Sequence, residues 1–202
     1  GNSVDEAYGD DAAKLESETS GMPFYFKDLR DNSYVYFRGF IYGLIEQLNS
    51  RWMEEMLIGR SEPVYGHEST TRELNFTFKL VAQNRHELDM MYDKLNKLTS
   101  LLYPQYLSDN VNFSNKLRSR PPLCKIRIGE LFGRKDEELT GFIRNLTNTI
   151  SEMNSYETTE GSRVPRIIDV NVSFQVIHRS TPHMLTKFYG KKYSTIVHNL
   201  TG

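Results

Sequence analysis

Apolar and polar residues alternate with a period of two in three segments of the chain, residues 72–80, 123–128 and 168–176. In the first segment the apolar positions are Leu74, Phe76, Phe78 and Leu80. Side chains of a β-strand point alternately to its two faces, so this period predicts strands with one buried and one solvated face. Such strands are typical of an antiparallel sheet that has water on one side.

One helix is signalled both by its cap and by its periodicity. Asn84 is a favourable N-cap, Glu87 completes a capping box three residues later, and Pro104 ends the run. The apolar stripe of this segment consists of Leu88, Met91, Leu95 and Leu98. We therefore predict an amphipathic helix over about residues 84–102 that lies on a surface of the sheet.

The segment 39–56 is harder to assign. Phe40, Leu44 and Leu48 would suit one face of a helix, whereas the aromatic residues and two glycines of the segment favour a strand. Both assignments stay open on the sequence alone.

A weak internal repeat suggests how the chain is organised. The motif Gly-Phe-Ile-x-x-Leu at residues 39–44 recurs at 141–146, and each copy precedes an alternating strand at a similar spacing. This favours two related β-rich halves, joined by the helix and the loop after it. We predict an acidic extended arm at 1–21, one tube-like β domain at 22–180 that holds both halves, and a basic, aromatic tail at 181–202.

The composition narrows the classes of function. The 202 residues include 25 Lys and Arg against 26 Asp and Glu, and a net charge of -1 gives no reason to expect a general binder of polyanions or membranes. Cys124 is the only cysteine, which excludes an intramolecular disulfide and favours a reducing, intracellular setting. No apolar stretch approaches the roughly 20 residues that cross a bilayer, and the N-terminus lacks the order of a signal peptide.

No pattern of catalytic or metal-binding residues stands out. The five histidines lack metal-ligand spacing, and Cys124 lies on the apolar face of its predicted strand, which favours an inert buried thiol. The carboxylate pairs at 54–55 and 137–138 are adjacent only in sequence, which does not make them converge for acid–base chemistry. The glycines at 129–133 lack the Lys-Ser/Thr of a phosphate loop. We expect no enzymatic activity, no metal and no cofactor.

Five basic residues occupy alternate positions on either side of a Pro-Pro pair: Lys116, Arg118, Arg120, Lys125 and Arg127. In strand geometry their side chains would line one solvated side, where they are candidates for interface or lumen charges. One interpretation is a nucleic-acid track. The other is a solvated face, or a docking surface for an acidic partner such as the arm of a neighbouring subunit. The near-zero net charge and the lack of interleaved aromatic residues weigh against the nucleic-acid track.

Six short segments carry a resemblance to a known family: 58–65 (IGRSEPVY), 72–80 (RELNFTFKL), 83–88 (QNRHEL), 101–106 (LLYPQY), 121–126 (PPLCKI) and 164–169 (VPRIID). Together they resemble the strand–helix core of the tail-tube and baseplate tube proteins of contractile-tailed, T4-like bacteriophages. The likeness is greatest to the tail-tube cap and tube-initiator proteins. It spans about residues 35–178 and includes no catalytic signature.

The resemblance implies an α+β fold, mainly antiparallel β, in which a tail-tube-like β-barrel or sandwich is flanked by one main α-helix. It implies a non-enzymatic virion protein that assembles in a ring, a hexamer, around a DNA channel and starts or extends the tail tube. The implied partners are further copies of the chain, other baseplate hub, tail-tube or sheath proteins, and DNA in transit. The implied location is the virion, after assembly in the host cytoplasm. Cap, initiator and another tube-like hub component remain open.

Two functions of other classes remain as alternatives. The first is a nucleic-acid-binding module that uses the basic region 116–127. The second is an enzyme built on Cys124 or on the adjacent carboxylates.

Overall fold

The computed structural model of the protein describes residues 22, 24–37, 40–107, 118–134, 137–150, 156–158, 163–178, 182, 186 and 188–189. In this part of the chain there are nine strands and one helix, so the fold is α+β and mainly antiparallel β, as predicted. The predicted arm at 1–21 and most of the predicted tail at 181–202 lie outside the described residues. No helix of the described part is long and apolar enough to cross a membrane.

The elements in chain order are β1 Phe24–Asp28, β2 Tyr34–Tyr36, β3 Phe40–Glu55, β4 Val64–Val81, α1 Arg85–Ser100, β5 Gln105–Leu107, β6 Arg118–Arg120, β7 Cys124–Ile128, β8 Leu139–Thr149 and β9 Ile167–Val176. The three alternating segments are confirmed as parts of β4, β7 and β9. The segment that was open between helix and strand is a strand, β3. Its pairing with β4 shifts register twice, between Tyr42 and Ile45 and between Arg51 and Trp52, which breaks the period of two.

The predicted helix is confirmed as α1, and all four residues of its apolar stripe are buried. The side chain of Asn84 accepts a hydrogen bond from the backbone N–H of Glu87 at 2.9 Å. The Glu87 carboxylate accepts from the N–H of Gln83, one residue before the cap, at 2.8 Å. At the other end Arg30 donates to the carbonyl of the last helical residue, Ser100, at 3.1 Å, and to that of Tyr103 in the turn that follows, at 2.7 Å.

The chain divides into two compact units. The first, unit 1, takes Gly1–Arg38, Ala82–Phe142 and Ile177–Gly202, and the second, unit 2, takes Gly39–Val81 and Ile143–Val176. Each unit therefore combines segments from both sides of α1, whereas the repeat predicts two consecutive halves. The physical reason lies in the pairing of β4 with β9, which joins the strand before the helix to the last strand of the chain.

Unit 1 is built on the strand order β2-β1-β7-β8, with antiparallel pairing throughout. Phe26 lies opposite Val35 on one side and opposite Ile126 on the other, and all three side chains are buried. The helix α1 contacts β2. From the predicted tail, the ring of Tyr189 lies 6.2 Å from the ring of Phe132.

Unit 2 has the strand order β8-β9-β4-β3. The strands β3 and β4 form one long antiparallel hairpin, and β4 pairs with β9 from Glu73 to Val81. One face of β4 and β9 forms the core of this unit and is almost fully buried: Leu74, Phe76, Phe78, Val170, Val172 and Phe174. The predicted alternation of buried and solvated positions is thus confirmed in both strands.

The predicted barrel is wrong for the single chain. Neither strand order closes on itself, because that of unit 1 ends on β2 and that of unit 2 ends on β3. The four strands of unit 2 are half the number found in a typical barrel of about eight strands whose interior is filled by side chains. Its sheet stays open at both ends.

Candidate functional site

The far end of the β3–β4 hairpin is a two-stranded ribbon without further strand partners in the described part of the chain. The strand β4 pairs with β9 only as far as Glu73, yet its pairing with β3 continues to Val64. Every residue from 47 to 71 is exposed apart from a half-buried Pro63. We call residues 47–71 the ribbon. Two-stranded hairpins are at best marginally stable alone in water, so this one calls for support from a partner.

The ribbon carries more exposed apolar side chains than a solvated hairpin needs. They are Leu48, Trp52, Met53, Met56, Leu57, Ile58, Val64 and Tyr65. Scattered apolar residues are ordinary on protein surfaces, but contiguous apolar patches mark interaction sites. The ribbon is therefore a candidate interface.

Local contacts order the ribbon along its length. The ring of Trp52 meets the ring of His67 edge-on at 5.1 Å, and Nε2 of His67 lies 2.9 Å from Oγ1 of Thr70. Arg51 and Glu68 form an ion pair at 2.9 Å. At the tip, Gly59 has a φ of 88°, a conformation that favours glycine. Two of these contacts, Trp52 with His67 and Arg51 with Glu68, join the two strands of the ribbon.

The sheet of unit 2 ends on two open edges. The strand β3 is the last strand of its order, so its outer edge has no strand beside it in the described residues. At the other end, β7 pairs with β8 only at residues 139–141. The residues that precede β7 in the chain are Pro121, Pro122 and Leu123. Proline has no backbone N–H and so cannot continue the hydrogen bonding to β8. Residues 143–149 of β8 therefore form the second open edge among the described residues.

The β3 edge is apolar as well as unpaired. Phe40 is 82% exposed, and Tyr42 and Ile45 are about half exposed. Gly43, with a φ of 62°, lies at the register shift between Tyr42 and Ile45. At this shift β3 has one more residue than the facing stretch of β4. Soluble monomers protect such edges with charges, prolines or covering loops. This edge has instead the features of a surface that receives another strand.

A buried ion pair fixes the root of the ribbon. Arg72, only 2% exposed, binds Glu46 of β3 across the strands, with an N–O distance of 2.5 Å. The side-chain amide of Gln175 donates to the backbone carbonyl of Arg72 at 2.9 Å. Arg72 lies on the same face of β4 as Leu74 and Phe76. The alternation in the sequence therefore indicates that Arg72 is buried, but it does not show that Glu46 is the partner of Arg72.

The solvated face of unit 2 is crossed by side-chain bonds between strands. Asp169 of β9 accepts a hydrogen bond from the Tyr42 hydroxyl at 3.0 Å and lies 3.6 Å from the Lys79 ammonium. One step along the same strands, the side-chain amide of Asn171 donates to the Thr77 hydroxyl at 2.9 Å. These bonds link β3, β4 and β9 on one side of the sheet.

A second group continues this face toward β8. Glu73 accepts a hydrogen bond from the Ser173 hydroxyl and forms an ion pair with Arg144 of β8 at 3.3 Å. We call the two groups together the polar face: Tyr42, Glu73, Thr77, Lys79, Arg144, Asp169, Asn171 and Ser173. Each of its two cations lies beside a carboxylate of another strand.

The structure places two of the predicted interface cations inside unit 1. The Lys125 ammonium lies 3.0 Å from Glu138, with side-chain exposures of 12% and 3%. Arg127 is 7% exposed and donates to the carbonyl of Gly129 at 3.2 Å. The expected solvated face of β7 is therefore wrong, because Glu138 and the ring of Tyr25 cover it.

The surroundings of Glu138 in this cluster favour its ionised form. Burial opposes ionisation of Glu138, but the hydrogen bond and charge of Lys125, a backbone hydrogen bond and the hydrogen bond from Tyr25 together outweigh it and lower the pKa of the carboxyl. Burial is also the main reason that the pKa of Tyr25, which donates to Glu138 at 3.1 Å, is raised. A largely buried carboxylate with a donor on each oxygen has the character of a structural network.

The remaining predicted cations are not joined to these two. Arg120 is exposed in β6, opposite Gln105 of β5. The backbone of Arg118 belongs to β6, but its side chain and the whole of Lys116 lie outside the described part. The five residues thus do not form one solvated track in the part of the chain that the structure describes.

The other chemical candidates are also separate from one another. Cys124 is fully buried, as predicted for an inert thiol. Glu54 and Glu55 are exposed neighbours on the ribbon. Within the described residues, no three His, Cys, Asp or Glu side chains are grouped to hold a metal ion.

Sequence reasoning missed the ribbon and did not show which strands carry the open edges. The sequence feature that could have indicated the ribbon is the high density of apolar residues at 52–58 and 64–65. These residues follow neither the period of a half-buried strand nor that of an amphipathic helix. No protein-family model matches this chain, and no curated protein sequence matches it.

Proposed function

We propose that the protein is a non-enzymatic virion structural protein of a phage baseplate or tail tube, which assembles in a ring around a central DNA channel and starts or extends the tube. The observation that carries the proposal is the sheet of unit 2, which ends on an apolar open edge at β3 and on a second open edge at β8. The family resemblance supplies the biological setting.

The two edges belong to different strands, so contact between them is heterologous. When one subunit's β3 edge meets the β8 edge of the next, the same contact repeats around an axis and closes if the rotation permits. The four-stranded sheets then merge into one barrel, which leaves no strand edge exposed. Under this proposal the barrel that the single chain lacks is a property of the assembly.

The ribbon extends the same surface. Beyond the β9 pairing both of its strands and both of its faces are exposed, and its apolar side chains continue those along the β3 edge. In a ring it would lie against a neighbouring subunit or project toward the hub, tail-tube or sheath proteins that we propose as further partners. Its burial there would supply the support that a lone hairpin lacks.

The alternative function, nucleic-acid binding through residues 116–127, has less support. Lys125 and Arg127 are engaged by Glu138, Gly129 and Tyr25, so they do not face a duplex. Among the side chains of that track that the structure describes, this leaves Arg120 exposed.

The proposal is tested by the assembly state of the purified full chain. We expect rings in negative-stain electron micrographs, and a mass by light scattering that rises from the monomer to one closed oligomer with increasing protein concentration. If the chain needs a template, rings are expected only after addition of baseplate or tube partners. A protein that stays monomeric at all concentrations and with every partner present would contradict the proposal.

A further inference from the structure

We infer that the polar face of unit 2 borders the channel of the proposed ring, and that its ion pairs keep the channel wall from retaining DNA. This inference rests on the proposed function, because it requires that a ring forms. Beyond the proposed function, the inference states which side of the sheet faces the DNA. It also states how the charges on that side are arranged so that a polyanion passes.

The choice of face follows from burial. A sheet continued from subunit to subunit has one side toward the channel and one side away from it. The apolar face of β4 and β9 is buried within the protein, with Phe76, Phe78 and Val172 at most 1% exposed. It is not available to line a water-filled channel. The polar face is the side that meets water. On it β4 and β9 present hydroxyls, amides and paired charges, and the exposed Phe40 and Ile45 of the β3 edge lie on the same side, opposite Lys79 and Asn75.

The arrangement of charges on this face is specific. Lys79 is held against Asp169 of the adjacent strand β9, and Arg144 reaches Glu73 of β4 across β9, so each positive charge has a negative charge beside it on another strand. Such exposed pairs add little to stability. Their effect is on the electric field, because a paired cation offers a phosphate less attraction than a lone one and screening by salt weakens the remainder further.

This pairing matters more in a ring than in a monomer. Every subunit repeats the same side chains around the channel, so a cation without its carboxylate would appear once per subunit at the same height. Several such cations would act together on one duplex, and binding to phosphates grows with each counterion that is released. Ion pairs across strands remove that attraction without making the wall apolar.

The test frees the cations and measures binding of DNA by assembled rings of the full chain. The double variant Asp169→Asn, Glu73→Gln keeps the shapes of both side chains and removes both carboxylates. We expect its rings to bind a short DNA duplex about tenfold or more tightly than wild-type rings at low salt, with a steeper fall of affinity as salt is added. Binding is measured by fluorescence anisotropy, and the rings are counted by electron microscopy.

Two control variants separate the effect of where the charges lie from the effect of the net charge of the protein. The variant Asp89→Asn, Asp93→Asn makes the same change of net charge at two exposed positions of α1 and should leave binding near the wild-type value. The variant Lys79→Gln, Asp169→Asn removes one whole pair and should also stay near it. If the first double variant does not assemble, Asn171→Lys adds a cation to the polar face while both ion pairs remain, and the same gain is expected.

The outcomes distinguish the inference from the proposed function. Rings that form normally but bind DNA no more tightly in either polar-face variant would overturn the inference and leave the ring intact. An equal gain in the α1 control would also overturn it, because the effect would then follow net charge. Failure of the wild-type chain to form any ring, with all partners present, would remove the proposed function and the inference with it.

Discussion

Lysine at positions 40 and 45 is expected to weaken ring formation strongly while leaving the monomer folded. In the variant Phe40→Lys, Ile45→Lys both replaced side chains are largely exposed, so no core packing is lost. A charge on an open edge is the device by which natural sheets prevent strands from pairing across molecules. We expect the concentration needed for half-assembly to rise by about 100-fold, which corresponds to about 2.7 kcal/mol per contact. Sedimentation velocity over a concentration series measures this shift.

The control, which adds one lysine to the same unit instead of two, is Val81→Lys. Val81 is an exposed apolar residue of β4 in the same unit, but β4 is an interior strand of its sheet. This variant should assemble as wild type does. Loss of assembly in both variants would attribute the effect to added charge, and unchanged assembly in the edge variant would show that the β3 edge is not the contact.

Removal of Glu46 is expected to destabilise unit 2 by about 3–5 kcal/mol, the range measured when one partner of a buried ion pair is deleted. Without this carboxylate, the Arg72 guanidinium must keep its charge where it is almost fully shielded from water. The variant Glu46→Ala should therefore unfold at clearly lower urea concentration than wild type. Unfolding followed by the fluorescence of Trp52, the single tryptophan, reports on the hairpin directly.

The double variant Arg72→Met, Glu46→Leu provides the comparison. It removes both charges and fills the space with apolar side chains, so its stability should lie close to that of wild type or above it. If Glu46→Ala loses less than about 1 kcal/mol, the pair is not desolvated as its burial implies.

The elements with a strong local signal were predictable. The alternation in β4, β7 and β9 and the stripe of α1 follow from side-chain geometry within a few residues, and Asn84 caps its helix as its type favours. The assignment of 39–56 stayed open because two register shifts occur inside β3. Such shifts depend on the pairing with β4, which the sequence of β3 alone does not reveal.

The candidate site was harder to predict because it depends on neighbours in space. Alternation shows that Lys125 and Arg127 share one face of β7, but not what covers that face. Its cover includes a hydrogen-bonded pair, Tyr25 and Glu138, separated by 113 positions in sequence. Likewise, the pattern of apolar residues in a sequence predicts the buried face of a strand. An open edge can be identified only when the order of the strands in the sheet is known.

The most direct test of the account is a cross-link between the two edges. Exposed residues are replaced by cysteine on β3, at Ile45 or Asn49, and on β8, at Asn145 or Thr147. The native Cys124 is fully buried and does not compete. A disulfide forms only when the two Cα atoms approach within about 7 Å, so four pairings sample the contact between strands. We predict that at least one double variant gives a covalent ladder ending at the closed ring under mild oxidation, while single variants do not. Rings that assemble with no cross-link in any of the four pairings would contradict the account.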